Sequence, residues 1–285
     1  MKSVKLMALS LVAGILVSSI SACSSKNTQE SSLVTVFSSA ETSEYLEIAD
    51  NSVVTDNTED TSGRIYFSGE DQKYANTFIT NFAEQYFYRK FVFSCGENPG
   101  VFDVTTTDVN EVLTFVCLHV YNNNITAFKN MTKGDCDYLT LSFDKAAEVS
   151  SRYMNYTLKK EDCERLPAPS GIKSNQAFGP YYEDRKVWIL LSDSDLEPFR
   201  EIAVVDYAKN NDDGTLTLYF TIYTIDYDTF KNLNNDEIKK YYALTPSEAQ
   251  NEKTIMRSLT GVANVSVTQS GKYRLNTYET ILDPL

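Results

Sequence analysis

Two hydrophobic periods divide this chain. Through its first half, apolar residues recur at offsets of three and four, which places them on one face of a helix. From about Glu70 to Phe87 the stripe is Tyr74, Ala75, Phe78, Ile79, Phe82 and Tyr86, preceded by a short strand, Arg64 to Phe67, and a capping pair, Ser68 and Asp71. A second helix is expected to start at a Thr107 cap and to bury Val109, Val112, Leu113, Val116, Cys117 and Val120 before Asn122-Asn123-Asn124 stops it. A strand at Tyr138 to Leu141 leads into a third helix, Phe143 to Tyr153, which buries Ala146, Ala147, Val149, Ser150, Tyr153 and the adjoining Met154.

The region from Pro167 to Gly179 reads as a loop, and beyond it the period becomes two. In Thr215 to Ile225, Leu216, Leu218, Phe220 and Ile222 point one way and Thr217, Tyr219, Thr221 and Tyr223 the other. Asp213-Gly214 marks a hairpin with Glu201 to Ala208. Lys186 to Leu191 is an earlier strand, and Gly261 to Thr268 with Lys272 to Ile281 form a last hairpin around Ser270-Gly271. A polar insertion between the hairpins carries two short helices, Asn235 to Tyr242 and one opened by the capping box Thr245-Pro246-Ser247-Glu248. Helices followed by an antiparallel meander make an α+β fold, with N-terminal helices on one face of a curved sheet. This order resembles the NTF2-like or cystatin-like arrangement, which implies a concavity between sheet and helices.

The N-terminus changes where this domain is expected to reside. Lys2 and Lys5 precede an apolar run of 12 residues, Leu6 to Val17, against the roughly 20 needed to span a bilayer. Ile20-Ser21-Ala22-Cys23 closes it and resembles the lipobox of bacterial lipoproteins. That resemblance implies removal of residues 1–22, a diacylglyceryl group on Cys23 and an acylated new N-terminus. Residues 23–62 hold one lysine against eight acids and read as an acidic tether. Residues 63–285 are then a single extracytoplasmic domain, held at the outer leaflet of the cell membrane, or in an outer membrane if the cell is diderm. Asp108 to Asn124 and Gly271 to Glu279 also resemble segments of uncharacterised Firmicutes surface lipoproteins, which implies a Gram-positive surface.

Charge excludes one class of partner. The net charge of −13 becomes −15 once Lys2 and Lys5 are removed, so nucleic acid, which carries the same sign, is not expected. Cys95, Cys117, Cys136 and Cys163 permit two disulfides in an exported domain, or stay as buried thiols. No spacing suits structural zinc, and no metal or cofactor is expected. His119, the one histidine, lies beside a helix stripe and reads as a helix-end residue with a local partner. Gly-rich phosphate loops, HExxH and GxSxG are absent from the sequence, so no catalytic residue is assigned. The acidic runs Asp193, Asp195, Glu197 and Asp212, Asp213 read as solvated turns.

Aromatic abundance is the remaining signal: 19 tyrosines, with Tyr219 and Tyr223 on the polar face of the clearest strand and Tyr181 and Tyr182 in the loop beside Gly179-Pro180. Rings beside amides and acids suit sugar or peptide recognition. The expected function is a non-enzymatic binding module for a small ligand, wall glycan or peptide, seated in the concavity. The alternatives are an assembly accessory that binds another envelope protein and a hydrolase that works through two carboxylates.

Overall fold

A computed structural model describes residues 57–84, 101–133, 136–164, 178–190 and 201–281. The fold is α+β, with two antiparallel sheets. In chain order the strands are β1 (Thr58–Glu59), β2 (Ile65–Tyr66), β3 (Val101–Asp103), β4 (Lys129–Lys133), β5 (Cys136–Ser142), β6 (Phe178–Glu183), β7 (Lys186–Leu190), β8 (Glu201–Asn210), β9 (Leu216–Ile225), β10 (Ile255–Val267) and β11 (Tyr273–Ile281). The helices are α1 (Gly69–Ala83), α2 (Val109–Asn123), α3 (Phe143–Tyr153), α4 (Lys160–Cys163), α5 (Tyr227–Phe230), α6 (Asn235–Tyr242) and α7 (Pro246–Asn251). The larger sheet has seven strands in the order β1-β2-β8-β9-β10-β11-β3, and the smaller has four in the order β4-β5-β7-β6.

The hairpins form where the alternating runs meet at Gly. Gly214 takes a φ of +81° between β8 and β9, and Gly271 one of +77° between β10 and β11. Register shifts beside Asp206, Ser258 and Asn276 bend the large sheet. Leu218, Phe220 and Ile222 of β9 face inward, as their alternation requires, and join Phe78, Ile79, Leu113, Val116, Ala146, Val149, Ala263 and Leu275 in one core. Leu139, Leu141, Val187 and Tyr182 of the small sheet enter the same core. Only glycine fits at 261: an added Cβ would lie 2.3 Å from Phe220 Cζ and 2.7 Å from the Glu279 carbonyl.

Helix α1 buries two stripes. Gln72, Asn76 and Thr80 are 1%, 0% and 0% exposed although polar. β2 pairs with β8 only at Ile65 and Ala208, so the first half of β8 lies beyond that pairing. The helix closes it: the Gln72 amide donates to the Val205 carbonyl (2.9 Å), Val205 N–H donates to Asn76 Oδ1 (2.7 Å) and Ala203 N–H donates to Thr80 Oγ1 (2.9 Å). An i to i+4 step climbs about 6 Å and two strand residues span about 6.7 Å, so the two elements match in pitch. Asn76 also donates to the carbonyls of Tyr242 (3.0 Å) and Leu244 (2.8 Å), joining the insertion to helix and strand.

Several expectations are corrected. Asp108, one residue after Thr107, caps α2 by accepting from Asn110 N–H (2.7 Å) and Glu111 N–H (3.1 Å), while the Thr107 hydroxyl bonds the Glu111 carboxylate. Ser68 holds the N-cap position of α1 without a side-chain cap bond. The fold reaches into the stretch read as tether, because β1 pairs with β2 and Asp60 organises the turn between them. Tyr181 and Tyr182 lie in strand β6, not in a loop. β4 is a strand that periodicity did not indicate.

Candidate functional site

Among the described residues, the inner face of the large sheet and the helices pack together as the core just described, which leaves the outer face of that sheet as the other candidate surface. The insertion covers one half of it. Ile202, Val204, Tyr223, Ile225 and Ile255 form a second apolar cluster with Tyr242 and Ala249, edged by Phe230, Leu233, Ile238 and Leu244. Tyr223 is 4% exposed and belongs to that cluster, so it presents no ring to a ligand.

The other half lies outside that cluster and carries Tyr219, which is partly exposed. Its ring stacks on that of Tyr207, the directly opposite residue of β8, with centroids 4.5 Å apart and planes 18° apart. The Arg64 guanidinium lies 4.8 Å from the Tyr207 centroid, and Tyr66 stands 6.4 Å away at 52°. Asp60 positions this end: its Oδ1 accepts from Ser62 N–H (2.8 Å), Ser62 Oγ (2.6 Å) and Arg64 N–H (3.0 Å), and its Oδ2 accepts from Tyr66 Oη (3.2 Å). Those donors, the Ser62 hydroxyl foremost, hold the Asp60 carboxyl down at about 2.

Polar rows flank the rings, one strand pleat of about 7 Å to either side. On one side Thr221 Oγ1 donates to Asp206 Oδ2 (2.9 Å), with the Asp206 carboxyl pushed up by burial and drawn down by that bond and by Arg257. On the other side side-chain bonds run across the strands. Asn211 Nδ2 donates to Thr215 Oγ1 and Thr217 Oγ1 (both 2.9 Å), Asn264 Nδ2 donates to Thr215 Oγ1 (2.8 Å), and Asn276 Nδ2 donates to Asn264 Oδ1 (2.7 Å) and Ser266 Oγ (2.9 Å). Sequence reasoning found Tyr219 alone of this set. Tyr207 and the amides needed the strand register, because only pairing places residues so distant in sequence in one row.

The other predicted residues lie elsewhere. Tyr182 is buried, edge-on to Phe143 at 6.0 Å, and its hydroxyl has no hydrogen-bond partner. Tyr181 is in β6 opposite Trp188 and is not near the outer-face rings in register. Cys117 and Cys163 are buried free thiols, so the expectation of disulfides through them is not met. Burial raises both thiols, Cys163 to about 11. Cys136 begins β5. Cys23, Cys95 and the run Asp193, Asp195, Glu197 fall outside the described residues. Asp213 accepts from Thr215 N–H (3.0 Å) and Thr215 Oγ1 (2.7 Å) as a turn residue. Among the described residues no group of three or more His, Cys, Asp and Glu could hold a metal ion.

A second polar cluster is internal. Glu84, at the C-terminus of α1, is 7% exposed and Glu201, at the start of β8, 8%. Burial first, and then the Glu201 charge, push the Glu84 carboxyl up to about 8 against a bond from Asn123, and its Oε1 has no partner. Asn123 Nδ2 also donates to the His119 carbonyl (2.9 Å) and lies 3.3 Å from His119 Nδ1. The imidazole stacks on Phe115 at 5.6 Å and touches Tyr153 at 4.4 Å. Burial, with Arg152 and Lys145 adding to it, pushes it down to about 3, so it is neutral at physiological pH. This is the helix-end histidine with a local partner that its position implied. No protein-family model matches the chain, and neither the curated proteins nor the solved structures contain a match to it.

Proposed function

We propose that this chain is a lipid-anchored extracytoplasmic binding module, tethered through Cys23, that recognises its ligand on the Tyr219 half of the outer sheet face without turning it over. The observation that carries the reading is the ring stack of Tyr207 and Tyr219, backed by Arg64 and bordered by a bonded row of amides and hydroxyls. Rings supply apolar area, the amides supply donors and acceptors, and paired strands hold both in place before binding, which limits the ordering entropy. The hydrolase reading has less support. Glu84 and Glu201 are coupled carboxyls, but burial to this degree suits a pH-sensitive core better than two acids set across an open cleft.

One observation favours the envelope-protein reading as a second possibility. Met256 and Tyr227 are 63% and 53% exposed where the insertion leaves the sheet, and large apolar side chains left in solvent are what a protein partner covers.

A paired experiment separates anchor from face. In cells producing the full chain, Cys23→Ser is expected to leave the membrane fraction while the purified variant still co-sediments with insoluble Gram-positive cell wall. Tyr207→Ala with Tyr219→Ala is expected to stay membrane-bound, melt within a few degrees of the parent and lose co-sedimentation. Retention on the wall by the double variant removes the site assignment, and a Cys23→Ser chain that stays in the membrane removes the anchor.

A further inference from the structure

We infer that the ligand of the outer face is a neutral oligosaccharide lying across strands β8 to β11, an inference that rests on the proposed binding role of that face. Four features of the face select this chemistry.

The first is that the interior strands offer no backbone. β9 and β10 are paired on both sides, so an extended peptide cannot add to them as a further strand and would have to bind through side chains alone. The rings and amides that remain match a sugar, whose C–H faces seat on tyrosine and whose hydroxyl or acetamido groups exchange hydrogen bonds with amides.

The second is an inventory at Asn264. Its Nδ2 donates one hydrogen, to Thr215, and its Oδ1 accepts one, from Asn276. A primary amide has two hydrogens and two lone pairs, so beyond these two bonds Asn264 keeps one further donor and one further acceptor on a half-buried side chain held by its neighbours. A sugar hydroxyl or an acetamido group can exchange hydrogen bonds with them. Asn211 differs, since both of its amide hydrogens are engaged by Thr215 and Thr217.

The third is charge. The register places Lys209, Arg257 and Arg274 on this face with Asp103 and Glu279, and Arg64 over Tyr207, Asp206 on Thr221 and Asp60 on Tyr66 complete four bases against four acids, a balance within a chain of net charge −13. A polyanion is repelled by the whole and finds no basic cluster here, whereas a neutral chain meets no such barrier.

The fourth is extent. The row from Asn211 through Asn264 to Asn276 crosses strands about 4.8 Å apart, and the ring stack lies parallel to it one pleat away. A single sugar on a flat face covers one part of this surface, while an oligosaccharide covers both rows at once.

The test is a titration of the intact, detergent-solubilised chain by calorimetry, with N-acetylglucosamine tetramer, cellotetraose and an uncharged tetrapeptide as probes. Saturable binding of a tetrasaccharide is expected, and its preference between the two sugars reports whether acetamido or hydroxyl groups occupy Asn264. Tyr207→Phe with Tyr219→Phe should keep affinity within about threefold because the rings remain. Tyr219→Ala should lower it roughly tenfold and Asn264→Ala by about fivefold. Peptide binding that Tyr219→Ala abolishes, with neither sugar bound, overturns the sugar inference and keeps the face. A concentration-dependent dimer that Tyr219→Ala dissociates shows that a second copy occupies the face, and likewise overturns it. Binding of any probe unaffected by Tyr219→Ala overturns both the inference and the face assignment beneath it.

Discussion

Replacing Asn76 by leucine lowers the stability of this fold by about 4 kcal/mol, which for a domain of this size is a fall in melting temperature of roughly 10 °C. The side chain is 0% exposed and makes four hydrogen bonds: it accepts from Val205 N–H and from Gln72 Nε2, and it donates to the carbonyls of Tyr242 and Leu244. Leucine has the same branched shape, is somewhat larger and carries none of these groups, so three backbone partners, Val205 N–H and the carbonyls of Tyr242 and Leu244, lose their bond to the helix. Each such orphan is destabilising by about 1 to 3 kcal/mol. Thr80→Val, which orphans Ala203 N–H alone, should fall by about a third of that. Thermal melts of both variants check the ratio, and a leucine variant within 1 kcal/mol of the parent would show that α1 does not close the edge of β8.

The second large effect concerns pH. Burial holds the Glu84 carboxyl up at about 8 in the folded state, against the ordinary value of about 4.5. The folded state therefore holds a proton that the unfolded chain releases above pH 4.5, so the stability associated with this group is complete below 4.5 and declines as pH rises to 8. His119 has the opposite sense. Its folded pKa of about 3 lies below 6.5, so its contribution is complete above 6.5 and declines as pH falls toward 3. Between 4.5 and 6.5 the two slopes oppose one another, and from 6.5 to 8 only the decline through Glu84 remains, worth about 2 kcal/mol. Glu84→Gln keeps a neutral, bonding side chain and removes the proton requirement. It should stabilise the protein by about 3 kcal/mol at pH 7, flatten the profile above 6.5 and change little at pH 4. Urea melts at four pH values measure this. Parallel profiles for parent and variant would place the pH dependence in other groups.

Both effects come from polar residues that hydrophobic patterning passes over, and this explains how much of the molecule was legible in its sequence. The third helix was read at its observed bounds, Phe143–Tyr153, and both hairpins were read at their turns, because those signals are local. The polar stripe Gln72, Asn76 and Thr80 was visible at i, i+4 and i+8, yet a polar stripe ordinarily marks a solvated face. Its burial depends on the open edge of a strand more than 120 residues later. β4, with the residues Lys129-Asn130-Met131-Thr132-Lys133, has no alternation and is a strand because β5 pairs with it. β6 contains Gly179-Pro180, a turn signal, and tolerates them at the edge of the small sheet.

The site was legible in the same partial way. Alternation correctly placed Tyr219 and Tyr223 on one face. It could not show that the insertion, polar overall, turns Phe230, Leu233, Ile238 and Leu244 onto that face and buries Tyr223 beneath them. Nor could it show that the register sets Tyr207 opposite Tyr219. A ligand surface made from paired strands is a property of the pairing, and one strand read alone yields half of it.

Recognition is proposed to take place on the outer sheet face around Tyr207 and Tyr219, away from the core between sheet and helices. Hydroxyl-radical footprinting of the full chain, with and without a solubilised digest of Gram-positive cell wall, tests it most directly because it reads each tyrosine separately. Tyr227 and Met256, 53% and 63% exposed where the insertion follows β9 and leads into β10, serve as internal references. The digest is expected to protect Tyr66, Tyr207 and Tyr219 severalfold and to leave Tyr227 and Met256 unchanged. Protection of Tyr227 and Met256 with Tyr207 and Tyr219 unchanged would contradict the proposal, and would move the interaction to the insertion.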